Sequence, residues 1–130
     1  MSRKTFLTVA SIIAICVGIF ALSMPAALLE SKGVAGNAGT NVWVRETGLL
    51  LISIGIMVFL VRGHANSPTL RAFLAGNAIL QIGLLPIEIA AYAQGVITEA
   101  PGIMPNSILH VLLAGGFAYY AAGCNASAQT

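Results

Sequence analysis

Aspartate is missing altogether from this chain of 130 residues, and glutamate occurs only four times. Metal sites rich in carboxylate are therefore excluded, since hard cations need several oxygen ligands. Charged residues of both signs make up 8% of the sequence, against about 25% in a soluble domain. Too few polar side chains exist to cover a soluble globule. The six cations form no run, and the formal net charge is only +2. Nucleic acid is thus not an expected partner, because it calls for a basic patch. The two cysteines, Cys16 and Cys124, form no C-x-x-C. One falls inside the first apolar segment and the other just past the last. That argues against a thiol–disulfide oxidoreductase, and both read as small apolar fillers. The two histidines fall on opposite sides of the predicted membrane and cannot share a haem. No P-loop, H-E-x-x-H or G-x-S-x-G occurs.

What is present is hydrocarbon. Apolar residues make up 58% of the chain, with a mean hydropathy of +0.91. Four apolar segments stand out, and they predict spans over about 5–24, 42–62, 70–94 and 106–123. The first follows a short basic start. Ala21-Leu22-Ser23 would pass as a signal cleavage site, but the run is longer than a usual signal core, so an uncleaved helix is expected. Thr8, Ser11 and Gly18 share one face of it, as suits helix packing. The segment after it, Pro25 to Thr40, reads as a flexible Ala- and Gly-rich loop, with a turn of interfacial helix at Ala26–Leu29. Thr47 to Val61 alone would reach only about 22 Å, short of the roughly 30 Å hydrocarbon layer. The second helix is therefore expected to start earlier, capped by Thr40 or Asn41, with Trp43 at the membrane interface.

The third segment organises the rest. It carries Asn77, Gln81 and Glu88, which lie within about 40° of one another on a helix. Glu88 is the only ionisable group well inside an apolar run. A carboxylate there costs roughly 2.5–3.5 kcal/mol or more, so a partner is expected. Pro86 lies two residues before it and deprives the carbonyl of Ile82 of its donor. Gly95 to Asn106 reads as a loop. The fourth segment starts at Pro105-Asn106-Ser107. His110, Ala114, Ala118 and Ala122 run along it every four residues, predicting a small-residue seam.

The chain is expected to be all-α, one antiparallel four-helix membrane bundle over residues 1–130. Arg3, Lys4, Arg62 and Arg71 fall on one side. Lys32 and Arg45 fall on the other, with Glu30, Glu46 and Glu99. The positive-inside rule then places both termini in the cytoplasm. Asn125-Ala126-Ser127 matches a glycosylation sequon, but on that side it carries little weight.

Depth estimates bring Glu88, His110, Arg45 and Glu46 to a similar height in the outer leaflet. Glu88 lies about 9 Å below the end of its helix. With Gln81 and Asn77 these are the candidate ligand-binding residues. Glu88 could ionise against Arg45, or stay protonated and bond His110. The structural alternative is a polar network that only fixes helix register. For Asn77 and Gln81 interhelical hydrogen bonds are the expected role. No metal site is expected, and no catalytic residue is singled out.

Four short helices, the lead-in WVRETGLLLISIG to the second and the His-bearing PNSILHVLLAGGFAYY make the chain resemble the DoxX-like group of small bacterial membrane proteins. That group includes subunits of quinone-linked oxidoreductases. The resemblance implies a bacterial inner membrane and a quinone or other lipophile as ligand. It transfers no catalytic residue to this chain. Three readings stay open at this point: a quinone- or small-lipophile-binding subunit, a proton- or solute-coupled carrier needing a homo-oligomer, and a structural subunit of a larger membrane complex.

Overall fold

The computed structural model describes residues 1–124, and the sequon at 125–127 lies outside them. The described residues form five helices and no strand: α1 Arg3–Ser23, α2 Pro25–Glu30, α3 Ala38–Val61, α4 Pro68–Ala93 and α5 Ala100–Gly123. Of these, α1, α3 and α4 are long and apolar enough to cross a membrane. At 24 residues α5 is as long as α3.

Local chemistry explains where the helices begin. Ser2 and Ser67 each accept a backbone N–H three residues on, and Pro68 follows Ser67 at the first helical position, where its missing N–H costs nothing. The start of α3 differs from the expected cap at Thr40 or Asn41. Asn37 is the cap, accepting the Thr40 N–H at 3.0 Å while the Thr40 hydroxyl accepts the Asn37 N–H at 2.8 Å. This reciprocal box sets the helix back to Ala38 and removes the shortfall in span length. The α5 boundary also moves, from 106 to Ala100. Pro101 sits in the first turn, where no N–H is needed, and Pro105 forgoes a single bond.

Direction alternates along the chain. At one end the Arg3 guanidinium donates to His64 O and to Asn66 Oδ1, and Tyr120 donates to Met1 O at 2.6 Å. At the other end the Thr98 and Glu99 N–H groups donate to Lys32 O at 3.1 and 3.3 Å. Gly33 adopts φ +68° there, and a Cβ on it would strike the Thr98 hydroxyl. Only glycine fits that turn.

Two helix pairs result. In the first, α1 lies against α3 through small residues seven apart, Ser11 and Gly18 facing Gly55 and Gly48. In the second, α4 lies against α5. At the Arg3 end the pairs are joined by a packed core. Phe6 meets Phe117 edge-on at 5.1 Å, and Leu7, Val58, Leu74 and Ala121 close around them. The α5 residues buried here are Ala114, Phe117 and Ala121, while Ala118 and Ala122 are exposed. The expected every-fourth seam is thus replaced by a three-and-four alternation. Four residues turn a helix about 400°, so a strict spacing of four drifts about 40° per step off the contact line.

The outer surface is hydrocarbon. Leu50, Leu60, Ile79, Ile87 and Leu112 are each more than 60% exposed. Soluble proteins rarely show apolar patches beyond a few hundred Å². This exterior is that of a membrane protein, with Trp43 exposed near the start of α3, where an interfacial aromatic would sit.

Candidate functional site

Away from the Arg3 end the two pairs do not close on each other. A cavity of about 230 Å³ remains between them, lined from all five helical segments and the loop after α2. Ile13 and Val17 of α1, Leu51 and Ile54 of α3, Leu84 of α4 and Leu113 of α5 make its walls apolar. Leu28 of α2 and Lys32 beyond it border the space as well. The polar groups come mainly from Lys32, Asn77, Gln81, Glu88, Asn106 and His110.

All of these but Asn77 join, with Ser107, in one chain of contacts. Glu88 Oε1 accepts from Lys32 Nζ at 3.1 Å and from Asn106 Nδ2, and Oε2 accepts from Ser107 Oγ at 3.1 Å. Three donors and no acceptor surround it, the pattern of a carboxylate. Asn106 Nδ2 also reaches His110 Nε2 at 3.0 Å, and His110 Nδ1 meets Gln81 Oε1. With Asn106 as donor, Nε2 accepts and Nδ1–H donates, so the imidazole is neutral in one defined tautomer. The Lys32 and Glu88 side chains are only 20% and 12% exposed. Their pairing is shielded from water, so removing one partner alone costs more than it would at a surface ion pair.

The six sequence candidates divide. Asn77, Gln81, Glu88 and His110 border the cavity, and Gln81 makes the expected interhelical bond, to His110. Asn77 instead donates to Phe73 O of its own helix at 2.9 Å. Arg45 and Glu46 are exposed and do not join the site. The cavity side of α3 is marked by Thr47, Leu51, Ile54 and Val58. Arg45 precedes Thr47 by two residues, so it points about 200° away, and Glu46 about 100° away. Their azimuth removes them. Glu88 is consequently partnered by Lys32, not Arg45, and it reaches His110 through Asn106 rather than directly.

Lys32, Asn106 and Ser107 are the residues that sequence reasoning missed. A signal existed for Asn106, which lies four residues before His110 and so shares its face. For Lys32 the only hint was its charge, as one of two cations on the Glu88 side. Among the described residues no group of three His, Cys, Asp or Glu could hold a metal. Cys16 is exposed on α1 and Cys124 is buried at the far end of α5. Compared with known proteins, the chain matches no family model, no curated protein and no solved structure, so the reading of this site rests on its own geometry.

Proposed function

We propose that this chain is a four-helix integral membrane protein, α5 being the fourth span, that holds a small lipophile in the cavity between its two helix pairs. The observation carrying this reading is the cavity itself. It has apolar walls for a hydrocarbon body and one polar face, from Lys32 to Gln81, to orient a head group. A quinone is the ligand of choice for the first trial, and the likeness to DoxX-like proteins belongs to the same proposal. The distribution of Arg3, Lys4, Arg62 and Arg71 supports an inner-membrane orientation with both termini cytoplasmic.

The test is direct. Protein purified in mild detergent is extracted with organic solvent and analysed by mass spectrometry, and the delipidated protein is titrated with a short-chain quinone. A stoichiometric lipophile, or saturable quinone binding, is the expected result. Empty protein that binds no quinone ends this reading.

One observation favours a structural role instead. Glu88 has a full set of partners without any ligand. In that case Glu88→Gln and His110→Ala lower the melting temperature and alter no phenotype that deletion produces. The carrier reading has less support, because a relay carboxylate must exchange protons and this one is held by Lys32.

A further inference from the structure

Two amide groups that α4 places on the cavity wall restrict what can occupy it. Gln81 uses Oε1 on His110, and Asn77 uses Nδ2 on Phe73 O. Among the described residues neither Gln81 Nε2 nor Asn77 Oδ1 has a hydrogen-bond partner. The two residues are four apart on one face of α4, and both line the cavity. The α4 side of the wall therefore offers one donor and one acceptor, side by side.

The charges are not on offer in the same way. Lys32 Nζ and Glu88 Oε1 neutralise each other at 3.1 Å. A lipophilic anion would have to draw Lys32 away and strand the carboxylate, and a lipophilic cation would strand the ammonium. Breaking a shielded pair by removing one partner is the unfavourable outcome. An uncharged head group meets Gln81 and Asn77 and leaves the pair intact. Size narrows the choice further. An apolar cavity of about 150 Å³ accepts benzene. At about 230 Å³ this one has room for a single ring with small substituents.

We infer, on the basis of the lipophile reading above, that the cavity selects an uncharged single-ring lipophile bearing a carbonyl or hydroxyl. Gln81 and Asn77 grip the head group, and the Lys32–Glu88 pair is the element that turns lipophilic ions away.

Three matched probes test this: 4-butylbenzyl alcohol, 4-butylbenzoate and 4-butylbenzylamine, neutral, anionic and cationic at neutral pH. Binding to the full chain in detergent is measured by equilibrium dialysis. The Leu84→Trp variant, whose larger ring grows into the cavity, gives the background. The wild type is expected to bind the alcohol saturably and each ion at least about tenfold more weakly. Gln81→Leu weakens the alcohol. Glu88→Gln frees Lys32, so the benzoate gains on the alcohol by about tenfold or more, and Lys32→Gln does the same for the amine. Benzoate or amine binding as tight as the alcohol in the wild type overturns the selectivity and leaves the lipophile reading standing. Failure of all three probes and of the quinone overturns both. The wild-type comparison decides the matter even if no charge variant folds.

Discussion

Between α1 and α3 the backbones nearly touch, since a methyl placed on Gly48 would sit 2.7 Å from Gly18 O and 2.7 Å from Leu22 N. In the second pair Gly76, Gly83 and Gly115 would carry a methyl with no atom of another helix within 4 Å of it. What couples α4 to α5 at the Glu88 level is a set of polar side chains, Glu88 to Asn106 and Ser107 and Gln81 to His110. One pair depends on the absence of side chains, the other on the presence of particular ones. In lipid, where apolar burial drives little helix association, these are two distinct ways to hold helices together. The difference bears on function. A backbone seam has no group to spare for a ligand, whereas a side-chain seam can leave amide groups facing a cavity.

The sharpest way to break the comparison is Gly48→Leu. No rotamer avoids the backbone of α1, so the pair must separate. A loss of more than about 3 kcal/mol is expected, at or beyond the usual upper range for overpacking. Unfolding in mixed detergent measures it. A variant as stable as the wild type would show that the α1–α3 contact is looser than the geometry states.

The next largest effect belongs to the polar pair. Lys32→Met leaves Glu88 with Asn106 and Ser107 but without a counter-charge. The loss is expected near 2 kcal/mol, below the 3–5 typical of fully buried pairs because Lys32 is 20% exposed. Adding Glu88→Gln should recover part of it, since a neutral amide in that place needs no cation. In a double-mutant cycle the double variant then loses less than the sum of the two single losses, by about 1 kcal/mol or more. Additive losses would mean that Lys32 and Glu88 do not act on each other.

These two interfaces were unequally legible in the sequence. Ser11 and Gly18 already shared a face of the first helix, because seven residues make nearly two whole turns. The same arithmetic aligned Asn77, Gln81 and Glu88, and all three border the cavity. Periodicity within one helix is a local property and survives folding. Arg45 and Glu46 show where it stops. Counting residues along a helix says nothing of azimuth, and which way α3 turns is set by its glycine contacts with α1, a relation between two segments. Lys32 lay beyond reach for another reason. It stands in a turn fixed by Gly33 and by the bonds from Thr98 and Glu99. No repeat in the sequence encodes the path of such a turn.

The smallest effect is also the one that tests whether the second pair stands alone. Gly115→Ala places a methyl on the exposed side of α5, where no atom of another helix lies within 4 Å. Alanine has the better helix propensity by up to about 1 kcal/mol, so the variant should be unchanged or slightly more stable. The same kind of change is disruptive at Gly48, and this opposition in sign is the comparison in its simplest form. Bare glycines on an outer face are also what a close helix–helix contact with another copy would require. If Gly115→Ala destabilises the protein instead, the open face of α5 is covered in the membrane. The contrast between the pairs would then belong to the isolated chain alone. Measuring stability and oligomeric state on the same sample separates the two cases: a loss of stability accompanied by dissociation locates the covering surface on a second copy, and a gain with no change in mass leaves α5 facing lipid.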